Sequence, residues 1–153
     1  MQDTAASRSS AVYSCPSSCQ WCEGSGKMSD VVVRSDVKYG QAPNLMTGQT
    51  QDLLMDVYQV PSSAARPVLV VIHGGSFKST STKDGGWAPW VSKLVALRGF
   101  LAVSVEYRRY GDCGSKCDSD TLPRPLREHP AHDIKAAVRY IRKNAATLKA
   151  DPN

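Results

Sequence analysis

Apolar residues along the chain follow patterns that predict four β-strands. β-Branched residues from Val31 to Tyr39 and from Leu53 to Val60 indicate two strands. Turn residues from Gly40 to Gln51 predict that these two strands form an antiparallel hairpin with a long loop. Pro67 to Ile72 and Phe100 to Glu106 are short, continuously apolar runs. Such runs are typical of parallel strands that are buried on both faces of a sheet.

Two further segments carry apolar residues at helical spacing. In the first, Gly99 is a typical helix stop after the series Trp87, Trp90, Val91, Leu94 and Arg98. The second predicts a helix over residues 131–148, for which Pro130 suits the first turn and Asp133 suits the positive end of the helix dipole. Its apolar stripe consists of Ile134, Ala137, Val138, Ile141, Ala145 and Leu148.

The order of these elements predicts an α/β fold. An antiparallel hairpin is followed by a strand, a helix, a strand and a helix, which indicates a parallel sheet covered by helices on both faces. With 153 residues, 41% of them apolar, the chain is long enough for one domain with a core and too short for two. Residues 1–30 are rich in Ser, Gly and Cys without hydrophobic periodicity, so we expect a flexible head before a folded domain at 31–153.

The formal net charge of +5 is concentrated in one stretch. Residues 123–149 hold seven basic and two acidic residues, an excess of five. They lack the series of interleaved aromatic residues that a single-strand nucleic-acid binder uses for stacking. We therefore interpret these cations as the solvated outer face of the last helix and predict no nucleic-acid partner. The longest aliphatic run, Val68 to Ile72, is far shorter than the ~20 residues of a membrane-spanning helix.

The five cysteines form two clusters, Cys15, Cys19 and Cys22 in the head and Cys113 and Cys117 in a polar loop. The spacing of the first cluster resembles the iron–sulfur motif of radical S-adenosylmethionine enzymes. The long series of strand–helix units that follows that motif in those enzymes has no counterpart here. Disulfides of an exported protein or unpaired thiols are the favoured alternatives, and we predict no cofactor and no metal. The cysteines favour export and the absence of a signal peptide disfavours it, so no compartment is predicted.

Candidate chemistry lies directly after the first buried strand, in the run His73-Gly74-Gly75-Ser76-Phe77. Open α/β sheets bind ligands at the carboxyl ends of their strands. Two adjacent glycines let the backbone turn sharply and present amide N–H groups that no side chain obstructs. Such donors can stabilise the oxyanion of a tetrahedral intermediate. Taken alone, the run is equally consistent with a simple Gly-Gly turn in which His73 hydrogen-bonds the loop.

Several motifs in sequence order resemble the α/β-hydrolase superfamily. His73-Gly74-Gly75 follows an aliphatic strand, and Glu106-Tyr107-Arg108 ends the next one. The segment His129–Arg142 and the closing Asp151-Pro152-Asn153 are similar to the corresponding helix and turn of the carboxylesterase/lipase group, which includes hormone-sensitive-lipase-like and feruloyl-esterase-like enzymes. The resemblance covers residues 31–153.

This resemblance implies roles for the residues of the glycine run. His73 would shape the loop, and backbone amides among Gly74, Gly75 and Ser76 would form part of an oxyanion hole. Many members carry a third glycine where this chain has Ser76, whose amide can donate equally well. The Ser76 hydroxyl matches no nucleophile of the group. The substrate implied is a small-molecule carboxylic ester, and no oligomeric state is predicted.

The triad that acyl transfer in this fold requires is not found in the sequence. No Gly-x-Ser-x-Gly elbow occurs, and His129 and His132 lie ahead of the position where the resemblance places the nucleophilic serine. We interpret both histidines as packing around the start of the last helix, and Asp133 as a partner of the helix N-terminus or of Arg108. The chain is thus expected to be an N-terminal part of a serine esterase, truncated before the elbow strand and inactive by itself. A non-catalytic binding protein of the same fold is the alternative.

The resemblance also predicts the neighbours of the strand Val68 to Ile72. The strand beginning at Phe100 should pair with it on one side, and the absent elbow strand should leave its other side open. Such an open, apolar edge favours aggregation.

Overall fold

The computed structural model of the chain describes residues 26–44, 47–75, 81–109 and 124–152. The strands are β1 (Val32–Pro43), β2 (Thr50–Gln59), β3 (Val68–Ile72) and β4 (Leu101–Val105). The α-helices are α1 (Ala88–Leu97), α2 (Arg124–Lys143) and α3 (Ala145–Leu148), and Met28–Asp30 form a single 3-10 turn. All five cysteines and Ser76 lie outside the described residues, so the predictions made for them have no structural counterpart here.

The four strands form one mixed sheet in the order β1-β2-β4-β3. β1 and β2 are the antiparallel hairpin that the sequence predicted, although both strands extend well into the predicted loop. β2 pairs antiparallel with β4, and β4 pairs parallel with β3, with Ile72 opposite Val105. The α/β prediction and the pairing of the two apolar strands are therefore confirmed.

β3 differs from its prediction, because it is not buried on both faces. It lies at the edge of the described sheet, and Leu69 and Ile72 are both exposed. β4, by contrast, is buried along its whole length, since strands and helices surround it. A continuous apolar run thus indicated a buried strand correctly for β4 and incorrectly for β3, which among the described strands has a neighbour on only one side.

α1 ends at Leu97, and the predicted stop Gly99 follows two residues later with a positive φ of 87°. Its buried face, however, consists of the small residues Ala88, Ser92 and Ala96. Trp87 and Trp90, which the apolar pattern placed in the stripe, are exposed. Small side chains let α1 approach the sheet closely, and the tryptophans then point away from it.

α2 begins at Arg124, seven residues before its predicted start, and includes Pro130 in its interior. Pro is most favourable in the first turn, but a helix continues through it at the loss of one backbone hydrogen bond. Pro130 is fully buried, so packing offsets that loss. His129 and His132 consequently lie within α2 instead of around its start, and Asp133 is far from the helix N-terminus. The predicted single helix also breaks at Asn144, after which α3 completes it.

Helices cover both faces of the sheet, as the sequence predicted. Alternate β4 residues Leu101, Val103 and Val105 join α2 in the larger core, and Ala102 joins α1 in the smaller one. The described cations of α2 lie on its exposed outer face, among them Lys135, Arg139, Arg142 and Lys143. Within the described ranges, no helix is both long enough and apolar enough to cross a bilayer.

Candidate active site

The carboxyl ends of β3 and β4 bring His73 and Glu106 to one edge of the sheet. The two strands run parallel with Ile72 opposite Val105, so the residue after each strand emerges beside the other. Glycines follow on one side, and Tyr107, Arg108 and Arg109 follow on the other. This is the edge at which open α/β sheets bind ligands.

Gly74 and Gly75 follow β3 and differ in whether their backbone conformation requires glycine. Gly75 has a φ of 108°, a conformation that non-glycine residues rarely adopt. Gly74 is exposed, and a Cβ atom added to it would meet no atom of the described residues within 4 Å. Within the described part of the chain, neither glycine donates its amide N–H to another residue. Two adjacent amide groups at the edge of the sheet are therefore without an acceptor among the described residues.

The His73 side chain is completely buried beneath these glycines. Its ring stacks on that of Tyr107, with centroids 4.3 Å apart and planes inclined by 12°. Nδ1 donates a hydrogen bond to the Gly74 carbonyl oxygen at 2.8 Å, and Nε2 lies 3.4 Å from Glu106 Oε1. His73 thus contacts the backbone of the glycine run and has no access to solvent.

Tyr107 fixes the same stretch of backbone from the other strand. Its hydroxyl lies 2.8 Å from the His73 carbonyl oxygen and 3.1 Å from that of Gly74, and it donates to them. Burial raises the pKa of Tyr107, and the nearby Glu106 carboxylate adds to this effect. The phenol therefore stays protonated as a donor. The His73 and Gly74 carbonyls are thus engaged, while the amides of the two glycines have no acceptor in the described ranges.

Glu106 connects His73 to the chain beyond the glycine run. Its Oε2 accepts the main-chain N–H of Lys83 at 2.9 Å, and its Oε1 pairs with Arg109 Nε at 2.8 Å. Burial alone would raise the pKa of Glu106, but the bonds from His73 and Lys83 and the charge of Arg109 outweigh burial and lower it. Glu106 is therefore a carboxylate held between cationic and donor groups.

Arg108 joins this edge of the sheet to α2. Its guanidinium forms a buried two-pronged pair with Asp133, at 2.9 Å from Nε to Oδ2 and 2.8 Å from Nη2 to Oδ1. Asp133 Oδ2 also accepts the Arg108 main-chain N–H at 2.9 Å, and Nη1 donates to the Pro43 carbonyl at 3.2 Å. Of the two partners predicted for Asp133, Arg108 is therefore the correct one.

Sequence reasoning missed one buried cation near the site, Lys83. Its Nζ lies 2.9 Å from both Asp36 Oδ1 and Asp56 Oδ1. Burial lowers the pKa of Lys83, but hydrogen bonds and charge from the two carboxylates reverse this and raise it overall. One signal was available: Asp56 interrupts the apolar run from Leu53 to Tyr58, and an acid within a core strand needs a partner.

Comparison with known proteins places most of the chain in one family. The BD-FAE family model matches residues 55–153. Esterase LipQ of Mycobacterium tuberculosis is 27% identical over 124 residues, which are 78% of this chain and 24% of LipQ. The Gibberellin receptor GID1B of Arabidopsis thaliana is 37% identical over 54 residues, which are 35% of this chain and 15% of the receptor.

The solved structures give the same fold. The structure of a bacterial heroin esterase superimposes with a TM-score of 0.56 and 25% sequence identity, covering 83% of this chain and 34% of the esterase. This chain therefore spans about a quarter of the length of LipQ and about a third of the heroin esterase chain. The sheet described above is a partial α/β-hydrolase fold.

Proposed function

We infer, since the chain belongs to the BD-FAE family within the carboxylesterase group of α/β-hydrolases, that the whole protein hydrolyses a carboxylic ester of a small molecule. The observation that carries this proposal is the pair of amides at Gly74 and Gly75, which have no acceptor within the described residues and lie at the carboxyl end of β3. The Ser76 amide would add a third donor.

The proposed chemistry is acyl transfer through a covalent intermediate. A serine hydroxyl attacks the ester carbonyl while a histidine takes its proton, and the carbonyl π electrons move onto the oxygen. Amide donors stabilise that oxyanion. The intermediate collapses, the alcohol leaves with the proton from the histidine, and water then releases the acid by the same route. His73 takes no part in proton transfer in this scheme, because it is buried and engaged with the loop.

We further propose that this chain carries the oxyanion-hole half of the site and that the serine, acid and histidine of the triad lie outside its 153 residues. The sequence contains no Gly-x-Ser-x-Gly elbow. The chain alone is then expected not to turn over esters.

Two assays with p-nitrophenyl acetate test these proposals. The whole protein should release p-nitrophenol and lose this activity after treatment with a fluorophosphonate, which labels an activated serine. The 153-residue chain and its His73→Ala variant should both release p-nitrophenol no faster than buffer alone. If the isolated chain hydrolyses the ester faster than that variant, the proposal that the triad lies outside the 153 residues is contradicted. A whole protein without esterase activity contradicts the proposed function.

A non-catalytic binding protein is the second candidate, because the similar proteins include a gibberellin receptor. In that case the whole protein would lack the elbow serine. It would resist labelling by fluorophosphonate and still bind a small ester or acid, which isothermal titration calorimetry would detect.

A further inference from the structure

Lys83 is a lysine whose side chain is only 8% exposed, and its position in the fold is set by β1 and β2. Lysine is almost never buried unless it is paired. Here the ammonium lies 2.9 Å from Asp56, whose side chain is 3% exposed, and 2.9 Å from Asp36, whose side chain is 64% exposed. A buried acid on β2 and a solvent-facing acid on β1 together hold the cation.

An irregularity in β1 brings the second acid to the lysine. The pairing register of β1 with β2 shifts between Arg34 and Val37, and Asp36 has a positive φ of 57°. The Asp36 main-chain N–H donates to Asp56 Oδ1 at 2.9 Å, which fixes the bulge. β-Bulges redirect side chains and are common beside functional sites. This bulge directs the Asp36 carboxylate to Lys83.

The main chain of Lys83 is fixed at two further points. Its N–H donates to Glu106 Oε2 at 2.9 Å, and its carbonyl accepts a hydrogen bond from Ser104 Oγ at 2.7 Å. The other oxygen of Glu106 faces His73 Nε2, and His73 Nδ1 donates to the Gly74 carbonyl. A series of polar contacts therefore runs from the hairpin through Lys83, Glu106 and His73 to the glycine run. Its longest step is the 3.4 Å approach of Glu106 Oε1 to His73 Nε2.

We propose that Lys83 is a positioning residue. Together with the Asp36 bulge it holds Glu106 and His73 in place. Their position in turn keeps the direction of the amides of the two adjacent glycines, Gly74 and Gly75. This inference rests on the proposed function for its catalytic consequence. Oxyanion donors act through preorganisation, and a displacement of about 1 Å can lower the rate by about 10²-fold. Loss of the Lys83 contacts should therefore affect the transition state more than the bound substrate.

The test compares Lys83→Met, Asp36→Asn and Lys38→Met in the whole protein. Lys38 is the matched control, because it also pairs with an aspartate on the same hairpin, Asp52, at 2.8 Å. Both side chains of this control pair are about half exposed. For p-nitrophenyl acetate, we expect kcat to fall about tenfold or more in the Lys83 variant and less in the Asp36 variant, with KM changed less than about twofold. Lys38→Met should keep both constants.

Hydrogen exchange measured by mass spectrometry provides a readout that does not need activity. Amides of residues 73–75 and 81–86 should exchange faster in Lys83→Met and Asp36→Asn than in Lys38→Met. If Lys83→Met does not fold, the Asp36→Asn variant alone tests the inference, because the Asp36 side chain is largely exposed and its replacement should not prevent folding. Unchanged kcat and unchanged exchange in Asp36→Asn overturn the inference even if the protein is an active esterase. Faster exchange in a protein without esterase activity supports the positioning role and contradicts the proposed function.

Discussion

Gly74 and Gly75 are adjacent glycines of which only the second needs to be glycine. The φ of 108° at Gly75 would strain any L-residue, whereas a Cβ at Gly74 meets no atom within 4 Å in the part of the chain that the structure describes. We predict that Gly75→Ala lowers the free energy of unfolding by about 1–2 kcal/mol and that Gly74→Ala changes it by less than about 0.5 kcal/mol. Urea denaturation measures both. Equal losses in the two variants would contradict the backbone conformation described here.

Arg108 and Asp133 should respond to mutation very differently from an exposed ion pair. Their side chains are buried, so Asp133→Asn leaves an uncompensated guanidinium and should lower the free energy of unfolding by about 3 kcal/mol. Lys38→Met, which breaks the exposed pair with Asp52, should leave the thermal midpoint close to that of the wild type. Thermal denaturation at pH 7 distinguishes the two variants, and similar midpoints would argue against the buried pair.

The lowered pKa of Glu106 makes a prediction about pH. Its ordinary value is 4.5, and the folded value is lower, so the unfolded chain binds more protons in the interval between them. The contribution of Glu106 to stability is therefore complete above pH 4.5 and is lost as the pH falls through the folded value. Glu106→Gln should reduce the acid dependence of the unfolding free energy below pH 4.5. Parallel curves for wild type and variant would contradict the assigned contacts.

Sequence reasoning located some of these residues and not others, for physical reasons. His73, Gly74 and Gly75 could be placed at the end of a strand because their position depends only on the local order of apolar and small residues. Lys83 could not be placed. A charged residue in a polar loop is solvated by default, and its partners Asp36 and Asp56 come from the distant hairpin and depend on a bulge.

At the scale of elements, strands were predicted more accurately than helix faces and helix starts. Strand positions follow directly from short apolar runs, and all four strands were found. The inner face of α1 was predicted incorrectly because the largest apolar residues, Trp87 and Trp90, are not those that fit against the sheet. The start of α2 was predicted incorrectly because burial of Pro130 offsets the usual cost of proline inside a helix.

β3 is the element that determines how the 153-residue chain should behave in solution. It lies at the edge of the described sheet with Leu69 and Ile72 exposed. Unpaired apolar edges associate with other chains. We predict that the isolated chain self-associates at high concentration and that Leu69→Lys reduces this association, because a charged edge disfavours strand pairing. Sedimentation velocity over a concentration series measures the effect. A monomeric wild-type chain throughout the series would contradict it.

At the scale of the whole molecule, the fold serves to bring two strand ends together. Each of the four residues after β4 contacts a different part of the fold. Glu106 accepts from the Lys83 main chain, and Tyr107 donates to the carbonyls after β3. Arg108 pairs with Asp133 of α2, and Arg109 donates to the Ser81 carbonyl. The parallel pairing could be predicted from the order of elements. The contacts around it could not, because each depends on side chains from elements distant in sequence.

Replacing one backbone amide by an ester in the whole protein tests directly whether the Gly75 N–H acts as an oxyanion donor. Glycolic acid at position 75 removes the N–H of Gly75 and keeps its backbone freedom, and it also weakens the Gly74 carbonyl as an acceptor for His73 and Tyr107. Gly99 is the matched control, since it also has a positive φ but donates its N–H to the Ala96 carbonyl. We expect kcat for p-nitrophenyl acetate to fall by about 10²–10³-fold for the ester at 75 and to stay near the wild-type value for the ester at 99. An unchanged kcat for the ester at 75 would contradict the assignment of the Gly75 amide as an oxyanion donor.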